Sequence, residues 1–168
     1  HTPDRPVIPL AEMVQKIKVV LETRTDESFL VIARTDARTD FGLDEAIERG
    51  NAFDEAGADL VFIEALTTEE EMARAAREIS GRLIANIAPT GVTPVLTVAR
   101  LRELGYAAAI FPALTAMTAM TTMERALRHL KETGDSSHPG LPTFDFERAC
   151  RILGFDEYRK LQERWNRL

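Results

Sequence analysis

Only one of the 168 residues is cysteine, Cys150, so no intramolecular disulfide can form, and neither a secreted disulfide framework nor a zinc site is expected. Long apolar runs are missing too: Phe29 to Ala33 and Ala107 to Ala113 are far too short to span a bilayer, which argues against a membrane partner. Positive charge is in deficit, with a formal net charge of -6 and no stretch that clusters Lys and Arg on one face, so no nucleic-acid partner is expected. The opening segment His1 to Pro6 has no initiator Met, charged leader or hydrophobic signal core. It reads as neither a natural start nor a targeting peptide, and further sequence is expected upstream. What is present is ordinary for a globular chain: 45% hydrophobic and 29% charged residues, enough for one domain or part of one, with a cytoplasmic location expected.

The apolar pattern alternates between two periods. Met13, Val14, Ile17, Val20 and Leu21 mark an amphipathic helix over Pro9 to Arg24, and the β-branched run Phe29 to Ala33 follows as a strand expected to be buried on both faces. A second helix spans Gly42 to Gly57, ending at a glycine suited to a left-handed terminus, before the strand Leu60 to Ile63. A third helix runs from about Thr68 to Ser80, with Glu69, Glu70 and Glu71 where the helix dipole favours acids, and leads to the strand Leu83 to Asn86. A helix near Thr97 to Leu104 and the strand Ala107 to Phe111 complete the series. The long segment Ala113 to Thr133 follows, with Met117, Met120 and Met123 on one helix face as expected core packing. Four βα units are half of a (β/α)8 TIM barrel and fall short of the usual five strands of a flavodoxin-like sheet. The fold expected is therefore α/β: the C-terminal half of a TIM barrel over residues 1–133, a linker loop over 134–142 and a C-terminal helical tail over 143–168.

The strands end on polar or structurally special residues: Arg34, Glu64, Asn86 and Pro112. In a parallel α/β fold those ends converge on the ligand side. An Arg there can clamp a carboxylate on two prongs, an Asn can donate and accept beside it, and a Glu can orient the Arg or move a proton. The same residues can also serve the sheet alone, Arg34 pairing with Asp36 or with Glu64. The loop Asn86 to Pro94 is long for a βα turn, a feature that often accompanies function.

Ile32-Ala33-Arg34-Thr35-Asp36-Ala37, Gly42 to Arg49, Glu55 to Asp59 and Glu64 to Thr67 together resemble the isocitrate lyase and phosphoenolpyruvate mutase superfamily. The likeness continues through Ala85-Asn86-Ile87, Gly91, Thr93-Pro94, Leu101 to Gly105 and Phe111-Pro112. The members it looks like are carboxyvinyl-carboxyphosphonate phosphorylmutases, oxaloacetate decarboxylases and alkylmalate lyases. The resemblance implies a Mg-dependent carbon–carbon lyase acting on a small 2-oxo or 2-hydroxy dicarboxylate through an enolate. By similarity Arg34 and Asn86 hold the substrate, with Pro112 beside it. Glu64 supports them, Mg and Arg34 stabilise the enolate, and His1 is the last residue of a gating-loop motif. The Mg ligands and the loop cysteine would lie upstream, so the segment from His1 onward is expected to be inactive alone. Pro89 stands where the isocitrate and methylisocitrate lyases carry a Glu, and Ala113 to Met117 lacks their Ser and Arg. Oxaloacetate, an alkylmalate or a phosphonopyruvate is the better-fitting substrate. A phosphonate mutase or hydrolase, or a metabolite-binding barrel without catalysis, are the alternatives.

Cys150 sits in a helical pattern and reads as an inert apolar residue, while His129 and His138 have no second ligand at useful spacing. Large apolar groups in the tail, among them Phe144, Tyr158 and Trp165, need a surface to cover. The resembled family exchanges a C-terminal helix between subunits, so a homodimer or homotetramer is expected.

Overall fold

The computed structural model describes residues 6–137, 140 and 143–167. Helix α1 (Leu10–Thr23) leads into strand β1 (Ile32–Thr35). A short helix α2 (Ala37–Phe41) and helix α3 (Leu43–Glu55) then precede β2 (Leu60–Ile63). Next come α4 (Glu69–Glu78), β3 (Ile84–Asn86), α5 (Val98–Leu104), β4 (Ala108–Ile110) and α6 (Leu114–Thr133); α7 (Phe146–Ile152) and α8 (Phe155–Trp165) follow. The chain divides into two compact units, one running to Thr118 and the other from Ala119.

In the first unit all strand pairs are parallel. β1 pairs with β2 so that Ile32 faces Leu60 and Thr35 faces Ile63; β3 pairs with β4 so that Asn86 faces Ile110. A single parallel bridge, Val61 to Leu83, joins the two ladders. Buried Ile17, Ala46, Phe53, Met72, Ala75 and Leu101 bring four helices onto one face of these strands. Close packing explains Gly50: a Cβ there would stand 2.7 Å from Ile79 Cδ1 and 3.3 Å from Ile63 Cδ1, so α3 approaches β2 only because position 50 has no side chain. Gly57, at φ +98°, supplies the left-handed turn that ends α3.

Three expectations need correction. β1 begins at Ile32 rather than at Phe29, because residues 26–29 close a turn in which Asp26 accepts the Ser28 and Phe29 amides. β1 is also not buried on both faces. Ala33 and Thr35 are covered by helices, whereas Ile32 and Arg34 are exposed on the opposite face. Finally, Met117, Met120 and Met123 are each more than half exposed instead of packed in a core. The five-residue helix α2 was not anticipated, since Gly42, at φ +90°, breaks it from α3.

In the second unit Asp145 caps α7 by accepting the Arg148 amide at 2.7 Å, and the Arg148 guanidinium stacks 4.9 Å from the centre of the Phe144 ring. Phe146, Leu153, Tyr158 and Trp165 are exposed. Among the described residues no helix is long and apolar enough to cross a membrane.

Asp59 fixes the start of the first ladder. Its carboxylate accepts the Val31 amide and Arg24 Nη1, each at 2.7 Å, while the Asp59 and Leu60 amides donate to the Val31 carbonyl. The Val31 amide, with help from Arg24, holds the Asp59 carboxyl below its ordinary value of 3.8. A carboxyl lowered by folding stabilises the fold above its unfolded value and loses that contribution as pH falls through the folded one. Asp59→Asn is therefore expected to lower the urea midpoint at pH 7, with a gap to the wild type that narrows below pH 3.8; a gap independent of pH contradicts the assignment.

Candidate functional site

The β1–β2 register determines what meets at the strand ends. Arg34 lies opposite Phe62, and its guanidinium carbon stands 4.9 Å from the ring centre, a distance at which the cation is attracted to the π face. Asp36, just past β1, takes Nε at 2.8 Å and Nη2 at 2.9 Å in a two-pronged pair. Glu64, one residue past β2, continues the ladder by donating its amide to the Thr35 carbonyl at 3.0 Å. Its Oε2 comes within 3.3 Å of Arg34 Nη2.

The environments differ. The Arg34 side chain is 39% exposed, whereas that of Glu64 is 5% exposed, so the acid approaches from below and the guanidinium looks outward. Asp36 chiefly, and Glu64 next, raise the affinity of Arg34 for its proton, so it stays cationic. Although Glu64 Oε2 is within ion-pair reach of Arg34, it has no hydrogen bond, and neither has the buried Oδ1 of Asn86. Buried acceptors without donors are rare in folded proteins, and they mark a place where a donor from outside the chain is favoured. Ala65 follows Glu64 at φ 62°, in the left-handed region that a residue with a Cβ resists.

Glu64 and Asn86 line one small cavity together with Thr93 and Tyr106, about 10 Å³ in volume, room for a single water. Burial pushes the Tyr106 hydroxyl upward, and it donates to the Met72 carbonyl at 3.3 Å. A second cavity, of about 150 Å³, lies between residues 6–8 and Arg34, Thr35 and Asp36. Its wall is anchored by Arg49, which pairs with Glu45 at 2.8 Å and donates to the Ile8 carbonyl at 2.9 Å.

Of the residues singled out from the sequence, Arg34 and Glu64 meet, and Asn86 shares a cavity with Glu64. Pro112 stands exposed in the turn after β4 and lines neither cavity. His1 and His138 lie outside the described residues. Both ion pairs weighed as the sheet-serving alternative, Arg34 with Asp36 and with Glu64, are present. Phe62, Thr93 and Tyr106 were missed. Phe62 had a signal, since it stands in the strand two residues before Glu64, the alternation that puts side chains on one face of an extended chain. Among the described residues no group of three or more His, Cys, Asp or Glu could hold a metal ion.

Parallel strands that carry their polar side chains at the C-terminal ends, under a layer of helices, define an α/β protein of the kind that binds ligands at that edge. The family model for phosphoenolpyruvate phosphomutase matches residues 1–131, and the chain belongs to that family, within the PEP mutase/isocitrate lyase superfamily. A 2,3-dimethylmalate lyase of Eubacterium barkeri is 48% identical over 112 residues, 67% of this chain and 39% of that protein. A 2-methylisocitrate lyase of Aeropyrum pernix is 36% identical over 160 residues, 95% of this chain and 51% of that protein. Among solved structures, a 2,3-dimethylmalate lyase superposes with a TM-score of 0.82 at 28% identity, over 94% of this chain and 56% of that one. An oxaloacetate acetylhydrolase in complex with the product oxalate gives 0.85 at 26% identity, over 96% of this chain and 56% of that one. The chain thus spans about half the length of these relatives.

Proposed function

We propose that this chain contributes the C-terminal half of a (β/α)8 barrel to a carbon–carbon lyase for a small 2-oxo or 2-hydroxy dicarboxylate. The observation that carries the reading is the guanidinium of Arg34, held on its Nε edge by Asp36 and stacked on Phe62, with Nη1 outside these contacts. A planar cation fixed in this way presents its remaining donors to a carboxylate with little ordering left to do. The named activities of a 2,3-dimethylmalate lyase in sequence and an oxaloacetate acetylhydrolase in structure support a small dicarboxylate, and that of the 2-methylisocitrate lyases supports carbon–carbon cleavage. The half-length match supports the half barrel, as does the exposed face of β1 that carries Ile32 and Arg34.

In this reading Arg34 binds a substrate carboxylate, and Asn86 and Glu64 accept donors from the substrate or from a water beside it. In a 2-hydroxy substrate the hydroxyl gives its proton to a base and closes to a carbonyl on one fragment as the carbon–carbon bond breaks, and the pair from that bond moves onto the other fragment as an enolate, which then takes up a proton. Arg34, already oriented, stabilises that charge as it develops. Mg belongs to the proposal through the family resemblance alone, since the acids near Arg34 are already engaged with it and form no metal-binding group among the described residues. Its ligands and the proton-moving loop cysteine are assigned upstream, so the chain from His1 alone is inactive. His1 would order the loop and Pro112 would border the substrate. A phosphonate mutase or hydrolase on the same scaffold is the second reading, favoured by the family model that matches.

The test is a panel of 2,3-dimethylmalate, oxaloacetate and phosphonopyruvate offered with Mg to the full-length protein. Cleavage of a dicarboxylate is expected, and turnover of phosphonopyruvate alone would select the second reading. Arg34→Lys keeps the charge but loses the planar fork, so a loss of roughly 10²-fold or more in kcat/KM is expected with the fold intact. Cys150→Ser is expected to be nearly silent; the opposite ranking would place the chemistry in the tail.

The exposed apolar side chains of α7 and α8 support assembly into a homodimer or homotetramer through exchange of the C-terminal helices. Removing residues 144–168 from the full-length protein is expected to lower its mass by light scattering, and an unchanged mass would rule the tail out as the assembling element.

A further inference from the structure

A dense polar knot in the first unit lies beside the candidate site. Arg38, in α2, reaches across to the loop between β2 and α4. Its Nε donates to Glu71 Oε2 at 3.1 Å, and its Nη2 donates to Glu71 Oε1 and to Thr67 Oγ1, each at 2.7 Å. Glu71 also accepts the Thr67 amide at 2.7 Å and its hydroxyl at 3.1 Å. Both carboxylate oxygens are engaged, and Arg38 chiefly holds the Glu71 carboxyl below the usual range, so the pair stays charged. The Glu71 amide in turn donates to the Thr68 hydroxyl at 3.1 Å, which fixes the acid to the first turn of α4.

The two segments joined by this knot are the ones that place Arg34 and Glu64. α2 starts immediately after Asp36, the partner of Arg34, and Arg38 is two residues further on. The other segment runs from Glu64 through Ala65, whose left-handed backbone needs surrounding contacts to hold it, to Thr67. Between them the backbone is tied by the Glu64 amide on the Thr35 carbonyl. Without a second tie the two segments could pivot about that bond and change the 3.3 Å approach of Glu64 to Arg34.

We infer that the Arg38–Glu71–Thr67 clamp is a positioning device that sets Arg34 against Glu64. It acts on the reaction through the two segments and does not touch substrate. The inference rests on the lyase reading for its catalytic consequence but not for its structural one. An interaction that merely stabilised the fold would leave the geometry of Arg34 unchanged when removed; a positioning clamp would not.

The experiment uses the full-length protein with Glu71→Gln and Arg38→Lys, and Thr67→Val as a milder variant that decides the matter if the first two do not fold. Oxalate, a planar dianion that mimics the enolate of a 2-oxo acid, serves as the probe. Amide exchange in residues 35–38 and 64–67 is expected to rise together by about tenfold or more, while the β3–β4 ladder keeps its protection. The Kd for oxalate is expected to weaken by roughly 10- to 100-fold, in step with the loss in kcat/KM. Faster exchange confined to 64–67, or unchanged oxalate affinity, overturns the inference. If the wild type cleaves no dicarboxylate the lyase reading falls, and the clamp is then judged on exchange and oxalate affinity alone.

Discussion

The β1–β2 ladder is the contact on which the candidate site depends. It is fixed at one end by Asp59, which gathers Val31 and Arg24, and at the other by the Glu64 amide on the Thr35 carbonyl. Within that register Arg34 falls opposite Phe62 and Glu64 arrives one step beyond Ile63. A slip of one residue would turn Arg34 into the helix-covered face and bring Ala33 or Thr35 out in its place, because side chains alternate along a strand. The charged cluster is thus a consequence of pairing geometry set some distance away.

Arg34 has a structural role and the form of a binding residue at once, and the two do not compete. One guanidinium with two nearby carboxylates is a locally negative arrangement, which would repel an anionic substrate if both acids were exposed. They are not equally exposed: Glu64 is buried beneath the strand ends, and Asp36 occupies the Nε edge. The outward side of the guanidinium keeps its attraction for an anion, while the acids hold its orientation. The unsatisfied acceptors on Glu64 and Asn86 add a preference for a ligand or water that also brings hydrogen-bond donors.

Much of this was readable from the amino-acid order. The strands at Leu60 to Ile63 and Leu83 to Asn86 and the helices between them fell close to their final places, because apolar runs alternating with amphipathic helices have few other solutions. The start of β1 did not, since Phe29 and Leu30 look like strand residues and only the Asp26 turn, a matter of side-chain hydrogen bonds, removes them. Arg34, Glu64 and Asn86 stood out as polar residues at strand ends. The clamp through Arg38, Thr67 and Glu71 did not, because its members are separated by about thirty positions and Glu71 looked like one more acid at a helix start. Exposure of the apolar residues on α6, α7 and α8 was also out of reach, because helical period locates an apolar face without saying what covers it.

The family and the parallel α/β architecture are established by the match over residues 1–131 and the superpositions on solved relatives. The role proposed for Arg34 is narrower: its outward face would receive a substrate carboxylate. A crystal structure of the full-length protein grown with oxalate tests it most directly. Oxalate is expected within hydrogen-bond distance of the Arg34 guanidinium, with Asp36 still on its Nε edge and Glu64 beneath. Oxalate bound elsewhere, with Arg34 engaged only by Asp36 and Glu64, would contradict it.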